Sequence, residues 1–395
     1  CRATLPLLKT RWLCKKERKR VVLTMTPNAD RNGVAFGILD DAPQASGGSA
    51  ARKAHDKQLG AGTMSRAGAT CPCCGLIMTS EDIRTEGQAG RLGQVMTAVV
   101  VEGKHGKEYR RPTAEEVQAA AIAPATLEAL FAQIPFGMPD EPMPNKEALG
   151  FRVPLYGFDR WNKLFTTRQL LALGTFAQQT RYARECLARQ HYPLEWIEAI
   201  QAYLACVVSR TADYMATLCI WEKQAEEVKH TFMRWALPIT WDFAEANPIS
   251  PVERFYIGGL NSTQRVTSLL LQTCDVNTPP PQVLRRSSIQ GVENPIDLVV
   301  TDPPYYDAIP YSDLMDFFYI WLRRTLAGLS AEFDQVFSEP SSPKWNHEKN
   351  DGELIDEASR HGGDANRSRQ AYEDGMFRVF SAISGRLVDD GRMVV

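Results

Sequence analysis

The sequence lacks any long apolar run. No window approaches the roughly 18 to 20 uninterrupted apolar residues of a membrane span, and the charged start from Arg11 to Arg20 has no apolar segment behind it of the kind a secretory leader carries. The expectation is a cytoplasmic protein with no membrane partner. Charge of either sign is also not in excess. With 45 Lys and Arg against 47 Asp and Glu the net charge is -2, so any contact with nucleic acid has to come from local basic patches. A glycine loop behind a strand is missing as well. Gly60-Ala61-Gly62 and Ile257-Gly258-Gly259-Leu260 are the nearest candidates, but neither follows a buried strand with an acidic partner downstream, and both read as turns. There is no solenoid repeat, and residue 1 is Cys rather than Met. At the other end Gly391-Arg392-Met393-Val394-Val395 reads as a turn followed by a strand cut short, so the sequence is read as a fragment.

What is present is enough for a sizeable core, since 395 residues with 44% hydrophobic content are compatible with two or three domains. Up to about Ile83 the apolar residues come in short runs such as Val21-Val22-Leu23 and Val34-Ala35-Phe36-Gly37-Ile38, which predict small antiparallel strands. Helical spacing takes over from Thr113 to Phe131, and the proline-rich stretch Pro135 to Pro144 reads as a linker. Leu170, Leu171, Leu173, Phe176 and Ala177 predict one helix. A longer stripe from Leu194 to Leu218, through Ile197, Leu204, Val207 and Met215, predicts a second. Ile296-Asp297-Leu298-Val299-Val300 predicts a strand buried on both faces. A helix starting near Ser312 or Asp313 follows, with Leu314, Phe317, Phe318, Trp321 and Leu322 on one face. Ser338 to Arg369 reads as a mobile loop, and a last helix carries Met376, Phe380, Ile383 and Leu387. Strand, helix, loop, helix, strand is the alternation of an open parallel α/β sheet, of which only part is expected.

The most specific local signal is Thr301-Asp302-Pro303-Pro304-Tyr305-Tyr306-Asp307, at the carboxyl end of the predicted strand, where open α/β sheets bind their ligands. Two consecutive prolines fix their own φ, extend the residues before them and remove two N-H donors. The loop is left as a stiff rim of acceptors. Such a rim suits an exocyclic amino group, whose two hydrogens the Asp302 carboxylate and the Pro303 carbonyl can accept. Held in this way, the nitrogen of adenine N6 is favoured as a pyramidal centre with its lone pair aimed outward, and the gain falls in the transition state. Tyr305 can stack on the base once it has been flipped out of the duplex.

Cys71-Pro72-Cys73-Cys74-Gly75 has the C-x-x-C spacing of a metal knuckle. Zinc is the expected ion, with Cys71, Cys74 and Cys1 as ligands and Cys14 as the alternative to Cys1. Cys73 is expected to point away. Two basic clusters, Lys15, Lys16, Arg18, Lys19 and Arg20 near Arg11 and Trp12, and Lys104, Lys107, Arg110 and Arg111, can contact phosphates or can form solvated faces.

Asp302-Pro303-Pro304-Tyr305 resembles the catalytic motif of amino-methyltransferases that use S-adenosyl-L-methionine. Together with Leu164 to Leu170, Trp241 to Glu245, Asn247-Pro248, Thr301 to Arg324 and the cysteine knuckle, it makes most of the chain similar to prokaryotic zinc-ribbon adenine-specific DNA methylases. The resemblance implies a partial Rossmann-like methyltransferase sheet with a zinc-ribbon β region and a helical insertion. It implies that Asp302, Pro303 and Tyr305 hold the target base, and it implies methyl transfer to adenine N6 in DNA. The glycine loop of the family is expected upstream of Cys1. Ser288, at the end of Val283 to Ser288, is the one cofactor candidate left, on a strand expected beside the cofactor's adenine. The boundaries expected are a zinc-ribbon region at 1-90, a mainly helical, target-recognising insertion at 91-260, and an incomplete catalytic part at 261-395. An inactive DNA-binding or regulatory protein, or a methyltransferase acting on RNA, cytosine N4 or a glutamine side chain, remains as an alternative. Asp302, where Asn is usual for glutamine acceptors, speaks against the last. A restriction or phage-defence partner protein is a further possibility of the family.

Overall fold

The computed structural model describes residues 1-144, 148, 150-251, 254-274, 277-307 and 309-395. Alternating apolar residues build an antiparallel sheet from β1 (Trp12–Lys15), β2 (Arg20–Pro27) and β3 (Val34–Leu39), with Val21, Val22 and Leu23 of the central strand buried. α1 (Ser49–Leu59) closes one side, and its Asp56 pairs with Arg20 and Lys15. A second small sheet follows, β4 (Met64–Ser65), β5 (Gly68–Thr70) and β6 (Ile77–Met78). Thr79 and Asp82 then cap each other's backbone N-H groups at the start of α2 (Ser80–Gln88). The hairpin of β7 (Val99–Gly103) and β8 (Gly106–Arg110) lays Tyr109 against Cys14 and Val21.

The helical stretch expected from Thr113 to Phe131 is two helices, α3 (Ala114–Ala119) and α4 (Pro124–Phe131). Pro124 is the reason, since a proline without an N-H suits the first turn of a new helix and interrupts an old one. α5 (Thr167–Arg189) and α6 (Leu194–Asp213) pack side by side. The apolar stripe expected to run to Leu218 in one helix outlasts α6, and Met215 and Leu218 are buried in the turns beyond it. Next come the short pair β9 (Trp221–Glu222) and β10 (Glu227–Val228), and then α7 (Tyr256–Thr273). The boundary expected at residue 260 therefore falls inside a helix.

The C-terminal part contains β11 (Ile296–Val300), α8 (Tyr311–Leu326), α9 (Ala331–Val336), α10 (Ala365–Ser384) and β12 (Leu387–Val394). Leu387 opens β12 instead of ending the preceding helix. α8 leaves its own strands and packs with α5 and α6, where Phe317, Ile320 and Trp321 are fully buried beside Trp161, Leu164 and Leu173. Its burial is not confined to one face, because Asp313, Asp316, Arg323 and Arg324 are buried too. Arg324 is 0% exposed and donates to Glu141 at 2.9 and 3.0 Å and to the carbonyls of Gly137 and Met138, both at 2.8 Å. Arg323 joins the same carboxylate at 3.0 Å. The proline-rich stretch expected as a linker is thus an anchor, fastened to the end of α8 by three charges that satisfy one another.

β11 and β12 pair in parallel, with Leu298 opposite Arg392 and Val300 opposite Val394. They are the only members of their sheet among the described residues. β11 is not buried on both faces as expected, since Leu298 is 58% and Val300 73% exposed. A strand is covered by its neighbours and not by its own hydropathy, and among the described residues β12 is its one sheet neighbour. The surface of the whole chain, 23419 Å², is well above the roughly 15,500 Å² expected of a compact protein of this mass. The architecture is a mixed α/β one, with several small sheets around a helical core.

Candidate functional site

The segment Thr301 to Asp307 leaves the carboxyl end of β11, as the sequence predicts, and the Thr301 N-H donates to Val394 O at 3.0 Å, prolonging the parallel pair by one residue. Asp302 is exposed and Tyr305 is 65% exposed, with its hydroxyl donating to Asp302 Oδ1 at 2.6 Å. That bond raises the pKa of the Tyr305 phenol, because the nearby carboxylate disfavours a second negative charge. The Pro303 carbonyl receives no hydrogen bond among the described residues. Asp302 and Tyr305 therefore lie together at the surface beside the half-buried Pro303, whose carbonyl has no intramolecular donor among the described residues. Pro304 has another part: its carbonyl accepts from the hydroxyl of Tyr372 on α10.

Tyr372 is the supporting residue that the sequence reading missed. Its ring lies 4.4 Å, centroid to centroid, from that of Tyr306, whose backbone takes the left-handed value φ 35° and whose carbonyl accepts from the Asp356 N-H at 3.0 Å. A signal was available, since Tyr372 stands one helical turn before Met376 and extends the same apolar stripe. The segment expected as a mobile loop is also fixed. Glu353 accepts from the Ser312 N-H at 2.9 Å and from its hydroxyl at 2.6 Å, answering one of the donors that the first turn of α8 leaves unbonded. Arg360 joins Asp313 at 2.9 Å to Glu353 at 2.6 Å, and Lys344 reaches Asp316 at 2.8 Å. Burial raises the pKa of Asp316 in spite of the opposing Lys344 charge.

The cofactor candidates fare differently. Ser288 begins a short 3-10 turn, Ser288–Gln290, and Val283 to Ser287 form no strand; Val283 and Leu284 are exposed. A strand there needs an edge to pair with, and β11 pairs with β12 alone. Ile257 to Leu260 lie inside α7 and not in a turn. Two glycines in sequence mimic a turn, but here they admit a close helix crossing: a Cβ on Gly259 would stand 3.1 Å from Val207 Cγ1 of α6. Gly60 and Gly62 are packed against Trp12 and the Leu8 carbonyl, in the turn region expected of them.

The cysteines come together as the spacing predicts. The Sγ atoms of Cys1, Cys71 and Cys74 all lie within 4.8 Å of one another, and Cys1 and Cys71 are 3.6 Å apart. Tetrahedral Zn-S bonds of about 2.3 Å put two sulfurs about 3.8 Å apart, so the donor set fits that ion. The knuckle is the β5-β6 turn, closed by Cys71 N-H to Leu76 O and Gly75 N-H to Cys71 O, both 2.8 Å, with Gly75 at φ 78°. Burial raises the pKa of the Cys71 thiol, but hydrogen bonds from the backbone N-H groups of Cys74 and Cys73 outweigh it and the net shift is downward. Cys73 donates to the Gly33 carbonyl at 3.3 Å, yet its thiol stays close enough to Cys71 to interact with it, so it does not simply point away as expected. Cys14 is buried in β1, its thiol on Lys19 O at 3.4 Å, and does not join the group. A fourth ligand is not among the described residues.

The basic clusters are largely neutralised. Lys15 and Arg20 pair with Asp56, Lys16 and Lys19 with Glu226, Lys107 with Glu102, and Arg110 with Glu116. Of these clusters only Arg18, Lys104 and Arg111 are exposed cations without a carboxylate partner among the described residues. No helix among the described residues is long and apolar enough to cross a membrane. No family model matches the chain, and neither a curated protein nor a solved structure matches it.

Proposed function

We propose that the chain carries the base-holding loop of an adenine-specific DNA methyltransferase, dependent on S-adenosyl-L-methionine and acting on the exocyclic N6 amino group of a flipped base. The observation that carries the reading is the loop itself. Asp302 and Tyr305 stand exposed and Pro303 half-buried at the carboxyl end of a parallel strand, and the Pro304 carbonyl is tied back by Tyr372. In the proposed complex the Asp302 carboxylate and the Pro303 carbonyl each accept one N6 hydrogen, and the lone pair of the nitrogen turns toward the methyl donor. Tyr305 gives up its bond to Asp302 and stacks on the base. The reaction needs no strong general base, because the amino proton is lost after the methyl group has been gained.

The described residues do not fit the cofactor in the same way. They offer no glycine turn behind a strand, Ser288 lies in an isolated turn, and the side chain beside it, Ser287, is bonded to Asp351 at 2.8 Å. No step is therefore derived through the cofactor, and the part assigned to this chain is recognition of the acceptor base. The same observation favours a second reading, a DNA-binding or regulatory protein that kept the loop without the chemistry. Zinc fits Cys1, Cys71 and Cys74 as a structural ion that would fasten the first residues to the β5-β6 knuckle.

Calorimetry with deoxyadenosine and deoxyinosine tests the loop without the cofactor, since inosine keeps the ring but loses the amino group. Deoxyadenosine should bind more tightly, with the preference abolished by Asp302→Ala. Equal affinities for the two nucleosides in the unmodified protein would remove the proposal. Saturable heat from S-adenosyl-L-methionine at about 1 mM, a level that registers affinities near -4 kcal/mol, would decide between enzyme and binding protein in favour of the enzyme.

A further inference from the structure

A cleft of about 620 Å³ opens between the end of α6 and the start of α7, lined by Arg210, Tyr214, Glu227, Lys229, His230, Met233 and Arg254. Its charges are unequal. Glu227 is bridged by Arg254 at 2.6 Å and by Lys229, and Asp213 lies 3.3 Å from His230. Those two carboxylates are thereby occupied, whereas Arg210 is exposed and has no partner among the described residues. Arg234, next to the lining residue Met233, is likewise exposed and without a partner there. Arg210 and Arg234 are thus the exposed cations at and beside the cleft that no carboxylate answers among the described residues.

The same segment continues into aromatic surface. Trp235 is 62% exposed, and its ring lies 6.3 Å from that of Tyr311, which is half exposed and opens α8 directly after the Asp302 to Tyr305 loop. Tyr305, 65% exposed, stands six residues before Tyr311 in the chain. Met233 lines the cleft, Trp235 two residues on meets Tyr311, and the acceptor loop precedes Tyr311, so cations, aromatics and loop follow one another. Alternation of this kind suits a single nucleic-acid strand, whose phosphates seek cations and whose bases stack on any aromatic face. A small anion would use the cleft but not the aromatics.

We propose that Arg210 and Arg234 hold the phosphates of a DNA strand whose neighbouring bases stack on Trp235 and Tyr311, leading the strand to the Asp302 to Tyr305 loop. The proposal rests on the reading of that loop as base-holding only for its direction, not for the binding itself. An oligothymidine of about 20 nucleotides therefore probes it, because thymine has no exocyclic amino group for Asp302 to hold.

Fluorescence anisotropy of the labelled oligothymidine on the full chain should show an affinity that falls linearly with the logarithm of salt concentration. Arg210→Glu with Arg234→Glu should weaken binding roughly tenfold or more and flatten the salt slope by about one for each cation lost. Trp235→Ala should weaken single-strand binding several-fold while leaving the salt slope as it was. Arg18→Glu, an equal charge change on the first sheet, is the control and should move affinity by less than about twofold. An Arg18→Glu loss equal to that of the double variant, or binding insensitive to both, would overturn the track. Loss of the deoxyadenosine preference with oligothymidine binding intact would remove the loop's function and leave the track standing, and the converse result would do the reverse.

Discussion

α8 and β11 are successive elements, and β11, with four aliphatic residues in five, is the more apolar of the two, yet α8 lies in the core and β11 near the surface. α8 buries even its arginines, because α5, α6 and the segment from Phe136 to Glu141 surround it and offer a carboxylate and several carbonyls to the charges. β11 leaves Leu298 and Val300 largely in water, because among the described residues it pairs with one parallel strand only. Burial is thus a property of the neighbourhood. A buried charge that has found its partners is more committed to the fold than an apolar side chain that has not.

The contrast is broken most severely at Glu141. Glu141→Ala strands Arg323 and Arg324 without their counter-ion inside the core, and a loss of about 3 to 5 kcal/mol is expected in urea unfolding. A loss below about 1 kcal/mol would mean that water reaches the pair. The N-terminal sheets lie between the two extremes. Cys71→Ser should release bound zinc, measured by a colorimetric chelator, and raise amide exchange in the first hundred residues while that of α5, α6 and α8 stays unchanged. Unchanged metal content would take the ion away from the knuckle.

Acid should loosen the same region through Glu226. Burial pushes its pKa up, but hydrogen bonds from Lys16, Lys19 and Tyr109 more than reverse this and hold it at about 2, below the ordinary 4.5. A carboxylate with a lowered folded pKa gives its full stabilisation above the ordinary value and loses it as pH falls through the window to the folded one. Between about pH 4.5 and 2 the near-ultraviolet signal of Tyr109 and Trp221 should therefore fade, and Glu226→Gln should remove that part of the transition.

Smaller effects belong to the exposed side of the comparison. Tyr372→Phe deletes the hydroxyl on the Pro304 carbonyl and keeps the ring against Tyr306, so a cost of about 0.5 to 1.5 kcal/mol is expected, read as faster amide exchange between residues 301 and 307. Leu298→Ser, on the uncovered strand, should change stability by no more than about 0.5 kcal/mol. A larger loss would show that β11 is covered in solution.

The sequence was most legible where chemistry is local. Asp302 to Tyr305 declared themselves by two prolines behind an apolar run, and Cys71 and Cys74 by their spacing; Cys1 followed from the need for further ligands. The rest depended on distant partners. Nothing near Arg324 announces Glu141, and nothing near Ser312 announces Glu353, since each pairing joins segments that only the folded chain brings together. Gly258-Gly259 was misread for a related reason: the same two residues permit a turn or a close helix crossing, and Val207, far back in the chain, decides which.

Consider α8 last as a mechanical part. Sixteen residues make a rod about 24 Å long. Glu353 holds it at the first turn and Glu141 at the last, so both ends are tied to other segments of the chain. A rod held in this way transmits displacement without absorbing it. Any partner that tilts the helical core would swing the tyrosine at the tip of the rod, and with it the mouth of the acceptor loop, through a proportionate arc.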